Sequence, residues 1–179
     1  MVAPSQDDLR AYIRSIPDFP KKGIVFRDIT TLLQDPAAFE RSIEMMAARF
    51  RERKIQKVVG IESRGFIFGG ALALRLGAGF VPVRKPKKLP FATFREEYLL
   101  EYGSDALEIH TDAIAKGENV LIVDDLIATG GTLQATCKLV ERLGGNLIAL
   151  ACLIELSFLN PRERFSGIEI FSLIKYDAE

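Results

Sequence analysis

The sequence has few of the residues that build metal and redox sites. Its 179 residues include one histidine, His110, and two cysteines, Cys137 and Cys152. A single histidine excludes a metal site made from two histidines of one chain, and no nucleophile-elbow motif accompanies it. The cysteines form no CxxC pair, and each lies in an apolar segment. This pattern predicts buried thiols in a reducing compartment.

An excess of one charge and long apolar runs are also missing. The 24 Lys and Arg residues balance 24 Asp and Glu residues, so no global field favours duplex nucleic acid or an anionic membrane. The longest uncharged apolar stretches, 65–74 and 147–154, are shorter than the ~18–20 residues that span a bilayer. The first ten residues do not resemble a secretory signal. We therefore expect a cytoplasmic protein with neither a nucleic-acid nor a membrane partner.

The length and the order of predicted elements favour one α/β domain over residues 1–179. Strands are predicted at 57–62, 79–83, 119–125 and 146–156. Helices are predicted at 5–16, from Asp35–Pro36 to Phe50, at 65–76 and at about 131–143. Nearly continuous apolar strands that alternate with helices are typical of a parallel sheet with helices on both faces. In such a sheet, ligands bind beyond the carboxyl ends of the strands.

The segment between residues 84 and 111 has a different pattern. It opens with a basic, proline-interrupted string at 84–88. Two short strands are predicted after it, at 98–102 and 107–111, around a turn at 103–105. The segment could be a plain surface hairpin. It could also be a mobile flap over the carboxyl edge of the sheet, because long loops in compact domains are often lids.

Residues 120–132, VLIVDDLIATGGT, carry the clearest chemistry. A buried strand ends in Asp124 and Asp125, and a glycine-containing loop then opens a helix. The loop consists of Ala128, Thr129, Gly130, Gly131 and Thr132. Helix N-termini hold phosphate through free N–H groups and the helix dipole. The chain has no GxxxxGK[ST] and no GxGxxG motif, so the nucleoside-triphosphatase and dinucleotide fingerprints are missing. Carboxylates before such a loop could bind sugar hydroxyls or order a hydrated Mg²⁺. The plainer alternative is a turn that uses Asp as a helix cap.

This string resembles the phosphoribosyl pyrophosphate (PRPP) motif of the type I phosphoribosyltransferase family. The chain is most similar to the adenine-using branch of that family, nearly end to end. The supporting strings are GIVFRDITT at 23–31, GIESRGFIFG at 60–69, VRKPKKLP at 83–90, LEYG at 100–103 and LEI at 107–109. VFRDIT and LEYG are the most specific of these within the family.

The resemblance implies a parallel sheet with flanking helices, a small hood at about 1–34 and a flexible hairpin flap at about 86–111. It implies an enzyme of purine salvage that converts adenine and PRPP into AMP and pyrophosphate. It implies a cytoplasmic homodimer. The implied cofactor is Mg²⁺, held by PRPP and by waters near Asp124 and Asp125 without a direct protein ligand.

The resemblance also assigns the PRPP contacts. Residues 128–132 would hold the ribose 5′-phosphate, and Asp124 and Asp125 would flank the ribose hydroxyls. The pyrophosphate contacts would be Glu62, Ser63, Arg64, Arg84, Lys85 and Lys88. A non-proline cis peptide is expected in the loop from Glu62 to Gly65. One basic residue of the 84–88 string would reach across the dimer, and the sequence leaves open which one. A solvated loop unrelated to substrate is the alternative for each lysine.

The base and the proton remain to be assigned. Val25, Phe26 and Arg27 resemble the adenine-binding segment, in which a ring stacks on the purine and backbone groups read its edge. Phe26 could instead be an ordinary core aromatic. Glu101 of LEYG is the predicted general acid–base, because a carboxylate on a closing flap can take the adenine proton away from water. It could instead be a surface glutamate of the hairpin. The roles of residues 91–97 stay open.

Two other functions compete with this interpretation. A xanthine or hypoxanthine/guanine phosphoribosyltransferase shares the fold, but VFRDIT and LEYG argue against it. A PRPP-sensing regulator that binds DNA would need an added DNA-binding domain, and 179 residues of zero net charge leave no room for one. Fold alone does not fix function.

Overall fold

A parallel sheet of five strands forms the centre of the molecule. The computed structural model describes residues 9–99 and 104–178. The five strands are β3 (Lys57–Ile61), β4 (Gly79–Val83), β7 (Asn119–Ile127), β8 (Asn146–Leu156) and β9 (Ile170–Tyr176). Their order across the sheet is β4-β3-β7-β8-β9, and every neighbouring pair is parallel. The predicted fold class is therefore confirmed.

Four helices whose full bounds lie within the described residues accompany the sheet, and their ends follow from local sequence. They are α1 (Thr30–Gln34), α2 (Pro36–Phe50), α3 (Gly65–Leu76) and α4 (Gly131–Arg142). The Asp35 carboxylate accepts the backbone N–H of Ala38 at 2.8 Å, which caps α2. Helix α3 ends at Gly77, whose φ of 65° favours glycine. Short 3₁₀ turns lie at Arg51–Arg53, Ser157–Leu159 and Pro161–Arg164.

Each face of the sheet has its own apolar core. Successive strand residues point to opposite faces, so Leu121 and Val123 of β7 pack with one cluster and Val120 and Ile122 with the other. The first cluster holds residues of α2 and α3, and the second holds residues of α4 and of strand β6 (Ser104–His110). Every strand of the sheet contributes buried side chains. The residues at the carboxyl ends are therefore carried on a rigid base.

The N-terminal segment differs from the prediction. Residues 14–16 were predicted as the end of a helix, but Arg14–Ile16 forms β1, which pairs antiparallel with β2 (Phe26–Asp28). Leu9 and Ile13, which set the helical spacing, are buried as that spacing suggested. The helix prediction is wrong for 14–16 because pairing with β2 satisfies their backbone groups. Proline at position 17 already prevents a longer helix.

A hairpin is present between residues 84 and 111, with different bounds from those predicted. Its strands are β5 (Thr93–Leu99) and β6, and Leu99 pairs with Ser104. Ser104 and Asp105 therefore belong to a strand and not to the turn. The hairpin packs on α4: the Lys138 ammonium lies 2.8 Å from Glu96, and the Arg142 guanidinium stacks 4.1 Å from the Phe94 ring centre. These long-range contacts set the strand bounds, which local turn residues could not reveal.

Strand β9 and the extension of β7 to Ile127 were not anticipated. Both cysteines are free, with Cys152 buried and Cys137 half-buried. Burial raises the pKa of the Cys137 thiol to about 12, so this thiol is inert at neutral pH. Within 9–99 and 104–178, no helix has the length and apolar character needed to cross a membrane.

Candidate active site

The predicted site residues meet where the strand order reverses. The chain goes outward from β3 to β4 on one side and from β7 to β8 and β9 on the other. The gap between the carboxyl ends of β3 and β7 is the usual ligand site of an open parallel sheet. Glu62 follows β3 directly. Asp124 belongs to β7 and lies beside the carboxyl end of β3. The sheet therefore brings Glu62 and Asp124 to the same edge.

The phosphate loop follows β7 and opens α4. Gly130 caps the helix with a φ of 83°, and Gln134 donates its backbone N–H to the Gly130 carbonyl at 2.9 Å. A pocket of about 100 Å³ is lined by Asp124 and by residues 126–133. Thr129 is exposed at its mouth. The loop therefore offers free N–H groups and a hydroxyl to an anion beside a carboxylate.

The side chains behind the loop were missed by the sequence analysis. A β-carbon on Gly130 would lie 2.8 Å from the Phe165 ring and 3.6 Å from the Arg164 side chain. Phe165 itself is buried. Gly130 is thus required both by its positive φ and by close packing. No local signal in the sequence shows that residues 164 and 165 lie beneath the loop.

Asp124 and Asp125 form a tight acidic pair. The Asp124 carboxylate accepts the backbone N–H of Asp125 at 2.9 Å, and the Arg64 Nε lies 2.9 Å from Oδ2 of Asp125. Asp125 is only 5% exposed. Burial and the neighbouring charge of Asp125 raise the pKa of Asp124 well above its ordinary range. Burial also raises the pKa of Asp125, although the Arg64 charge opposes this.

The acidic pair fits a hydrated cation better than a dehydrated one. Among the described residues, no group of three or more His, Cys, Asp or Glu side chains is placed to hold a metal ion. Oδ2 of Asp125 is buried and lies 2.9 Å from Nε of Arg64, while Asp124 faces the phosphate-loop pocket. Mg²⁺ keeps several waters and binds through one or two carboxylates together with substrate phosphates. This donor set matches that habit.

The loop after β3 carries the expected cis peptide, between Glu62 and Ser63. Ser63 is exposed and Arg64 is half-buried. A β-carbon on Gly65 would lie 2.8 Å from the Asp124 carboxylate and 3.0 Å from the Val123 carbonyl. Glycine at position 65 therefore lets this loop approach β7 closely, and Arg64 reaches Asp125 as a result.

Glu62 holds the basic string in place. Its carboxylate accepts hydrogen bonds from Nζ of Lys88 at 2.7 Å, from the backbone N–H of Lys85 at 3.1 Å and from Nε of Arg84 at 3.2 Å. Burial acts to raise the pKa of Glu62, but these three donors outweigh it and the pKa lies below its ordinary value. Glu62 is thus a carboxylate that holds the cationic side chains of Arg84 and Lys88 close together. Of the predicted pyrophosphate residues, Arg84, Lys88 and the backbone of Lys85 meet around Glu62, whereas Arg64 pairs with Asp125.

The Lys85 side chain points elsewhere, toward the hairpin. Its Nζ lies 3.1 Å from Oδ2 of Asp105, and the Tyr98 hydroxyl donates to the same oxygen at 3.2 Å. Sequence analysis assigned no role to Tyr98 and placed Asp105 in a turn.

The proposed base-binding segment lies beside Arg64. The Phe26 ring is half-buried, packs edge-on against Phe19 at 5.2 Å and lies 5.4 Å from the Arg64 guanidinium. Val25 is half-buried. The Arg27 guanidinium is directed away from the phosphate loop, since it stacks 3.9 Å from the Tyr176 ring and donates to Ser15 at 2.5 Å. Only the backbone of residue 27 is left to contact a base.

The predicted acid–base residue, Glu101, lies outside the described residues. It belongs to the connection between β5 and β6. The arrangement of the described part is nonetheless specific. One sheet edge carries an anion-binding loop, an acidic pair and several cations. Such a site can bind a sugar with a phosphate at one end and a diphosphate at the other.

Comparisons with known proteins agree with this geometry. Residues 28–176 match the family model described as a phosphoribosyl transferase domain. A protein from Koribacter versatilis named adenine phosphoribosyltransferase is 54% identical over 174 residues, which cover 97% of this chain and 96% of that protein.

Solved structures agree as well. Adenine phosphoribosyltransferase from Thermoanaerobacter pseudethanolicus superposes with a TM-score of 0.93 at 55% identity, covering 96% of this chain and all of that one. The enzyme from Saccharomyces cerevisiae, complexed with an imino-altritol bisphosphate and adenine, has a TM-score of 0.89 at 44% identity and covers 94% and 97% of the two chains. The chain belongs to the adenine phosphoribosyltransferase family.

Proposed function

We propose that the chain transfers the phosphoribosyl group of PRPP to adenine and releases AMP and pyrophosphate, a reaction of purine salvage. One observation carries the proposal: the phosphate loop, the acidic pair and the Glu62 cation cluster share one sheet edge. The family membership of the chain supports the same reaction. The S. cerevisiae relative was solved with an imino-altritol bisphosphate and adenine together, and the proposed reaction likewise brings a sugar phosphate and adenine into one site.

PRPP is held at both ends. Residues 128–132 bind the 5′-phosphate through helix N–H groups and the Thr129 hydroxyl. Asp124 and Asp125 accept hydrogen bonds from the two ribose hydroxyls. The diphosphate lies near Arg64 and Ser63, where the planar guanidinium matches paired phosphate oxygens. Two anchors fix the sugar carbon between them and leave it open to attack.

The cations around Glu62 serve the leaving group. In the substrate-free chain, Arg84 and Lys88 are neutralised by the Glu62 carboxylate. A diphosphate carries more negative charge than one carboxylate. Because the ion pairs of Glu62 with Arg84 and Lys88 are partly exposed, replacing Glu62 by the diphosphate as their partner costs little free energy. As the bond between C1′ and the diphosphate oxygen breaks, negative charge grows on the diphosphate, and fixed cations stabilise it there.

Adenine binds against Phe26. The ring is half-buried, and the backbone of Val25 and Arg27 reads the edge of the base. An imidazole nitrogen of adenine forms the bond to C1′ while the diphosphate departs, and that nitrogen loses its proton. Glu101 accepts the proton; the resemblance of the LEYG string supports this role. A flap that excludes water keeps the proton transfer efficient.

The residues near the acidic pair suit the expected Mg²⁺. Asp124 and Asp125 would order the waters of an ion carried by PRPP, and the ion would supply charge neutralisation at the diphosphate. The position of Asp124 at the phosphate-loop pocket, beside buried Asp125, supports this arrangement.

A homodimer is part of the proposal. Three apolar side chains on neighbouring elements are exposed to solvent in the single chain. They are Ile67 at 40%, Leu74 at 84% and Phe80 at 38%. Leu74 and Ile67 lie on one face of α3, seven residues apart, and Phe80 lies on the edge strand β4. Such a face favours a second copy of the chain. Free thiols are consistent with a cytoplasmic location.

A substrate panel tests the function. Purified protein is incubated with PRPP, Mg²⁺ and one purine at a time, and the nucleotide product is measured. We expect AMP from adenine and at least ~100-fold lower kcat/KM with hypoxanthine or guanine, because polar groups matched to one base edge leave the wrong edge unpaired. Comparable use of guanine would instead identify a 6-oxopurine enzyme on the same fold. No product with any base would contradict the proposed function.

A further inference from the structure

The clearest unassigned cluster joins the hairpin to the basic string. Its members are Tyr98, Asp105 and Lys85. The Tyr98 hydroxyl donates to Oδ2 of Asp105 at 3.2 Å, and the same oxygen lies 3.1 Å from Nζ of Lys85. Two side chains of the hairpin stem thereby hold the end of a lysine from the basic string.

We infer that Asp105 and Tyr98 are positioning residues that hold the Lys85 ammonium for the diphosphate of PRPP. The inference rests on the proposed function, which makes Lys85 a pyrophosphate contact. It adds two residues that neither the sequence motifs nor the comparisons assign.

Asp105 is itself firmly held. Its Oδ1 accepts the backbone N–H of Ala106 at 2.8 Å, and the register pairs it directly with Tyr98 across the hairpin. Hydrogen bonding from Ala106 and the charge of Lys85 keep the pKa of Asp105 below its usual value, although burial opposes them. Burial and the charge of Asp105 raise the pKa of Tyr98, so its hydroxyl keeps the proton that it donates.

Lys85 is fixed at both ends. Its backbone N–H donates to Glu62 at 3.1 Å, and its ammonium contacts Asp105. A free lysine side chain has many rotamers, and much of this rotamer entropy is lost when the side chain binds a ligand. Because Lys85 is already ordered, less of that entropy is lost on binding.

The ammonium keeps capacity for a ligand. It has three N–H donors, and Asp105 engages one of them. The Lys85 side chain is 55% exposed, against 27% for Asp105. Lys85 can thus contact phosphate oxygens without leaving Asp105. The Asp105 carboxylate therefore holds Lys85 in place and does not compete with the diphosphate for its ammonium.

The experiment measures pyrophosphate binding directly. Inorganic pyrophosphate with Mg²⁺ is titrated by calorimetry into the full chain, and KM for PRPP and for adenine is determined in the AMP-forming assay. The variants are Asp105→Asn, Tyr98→Phe, Lys85→Ala and the double variant Asp105→Asn/Lys85→Ala. Glu97→Gln is the matched control, because it also removes one hairpin carboxylate, yet Glu97 pairs with Arg95 and is exposed.

We expect Asp105→Asn to weaken pyrophosphate binding and raise KM for PRPP about 3- to 10-fold, the effect of losing the order of one long side chain. Tyr98→Phe should act in the same direction by a smaller factor. KM for adenine and the melting temperature should not change. In the Lys85→Ala background, Asp105→Asn should not weaken pyrophosphate binding further, because the lysine that Asp105 positions is then missing.

Three results would overturn the inference. In the first, Asp105→Asn weakens pyrophosphate binding by the same factor with and without Lys85→Ala. In the second, Asp105→Asn tightens pyrophosphate binding. In the third, the Lys85→Ala variant binds pyrophosphate as tightly as the unaltered chain. If the unaltered chain forms AMP in these cases, only the positioning role fails. If it forms no AMP, the proposed function fails, and the pyrophosphate titration still decides the positioning role.

Discussion

The Asp124 carboxylate accepts the backbone N–H of Asp125 at 2.9 Å, which sets two acids side by side at the base of the phosphate loop. The Arg64 guanidinium contacts Asp125, and its charge also acts on Asp124. Two buried carboxyl groups thus share this cation. Burial of their charged forms destabilises the folded chain. In the proposed function, ribose hydroxyls or a hydrated cation would offset this cost.

Replacing Asp124 with Asn should stabilise the substrate-free chain at neutral pH. Burial and Asp125 raise the folded-state pKa of Asp124, so the folded state binds the proton more tightly than the unfolded state does. Stability from this group is complete below the ordinary Asp pKa of about 4 and falls as pH rises to the raised pKa.

Thermal unfolding of the unaltered chain and Asp124→Asn at several pH values measures this. At pH 7 we expect a melting temperature about 2–4 °C higher in the variant, the shift that accompanies about 1 kcal/mol in a chain of this size. Near pH 4 the difference should shrink. PRPP binding should weaken in the variant, which is a common cost of relieving a strained site. An equal or lower melting temperature at pH 7 would contradict this account of the acidic pair.

Thr129→Val tests the phosphate loop without disturbing its packing. Thr129 is exposed at the mouth of the pocket, so its loss removes a phosphate donor and little else. We expect KM for PRPP to rise about 10- to 150-fold, the equivalent of one hydrogen bond to a charged group, with an unchanged melting temperature. An unchanged KM would place the 5′-phosphate elsewhere.

Gly130→Ala is the informative contrast. Its β-carbon would meet the Phe165 ring at 2.8 Å, at a φ of 83°. We expect a loss of about 1–3 kcal/mol in the free energy of unfolding, together with weaker PRPP binding. Denaturant unfolding measures it. Full stability in this variant would mean that the loop and Phe165 can separate freely.

Glu101→Gln tests the proposed proton acceptor. Loss of general acid–base catalysis should lower the single-turnover rate by ~10²–10⁴, whereas PRPP binding should hardly change because its contacts lie on other segments. Single-turnover conditions with excess enzyme are needed, since slow product release could hide the effect. Glu97→Gln, four residues away, is the control and should be near neutral. A normal single-turnover rate in Glu101→Gln would remove Glu101 from the chemistry.

Mixed dimers test action across subunits. One subunit carries Lys85→Ala or Arg84→Ala, and the other carries Asp125→Ala. If the basic string works in the partner's site, each mixed dimer contains one complete site out of two. Each mixed dimer should then have about half of the activity of an unaltered dimer. Mixed dimers that stay as inactive as the single variants would show that these residues act within their own chain.

The sequence by itself determined the fold class, most strands of the sheet and the family. Strand β8 and helix α3 have the predicted bounds, because apolar runs and flanking glycines are local signals. The motif at 120–132 predicted the strand, the glycine-containing loop and the helix start that the structure has, because these features lie in consecutive residues. These features depend on hydrogen bonds and side chains close together in the chain, where pattern and structure correspond directly.

The tertiary structure alone decided which distant groups meet. Residues 14–16 form a strand because β2 pairs with them, against their helical spacing. Asp105 holds Lys85, and Phe165 supports Gly130, through contacts between segments 20 and 35 residues apart. The direction of Arg27, buried on Tyr176, is also long-range. Such partners are chosen by packing and charge across the folded surface, and no local spacing encodes them.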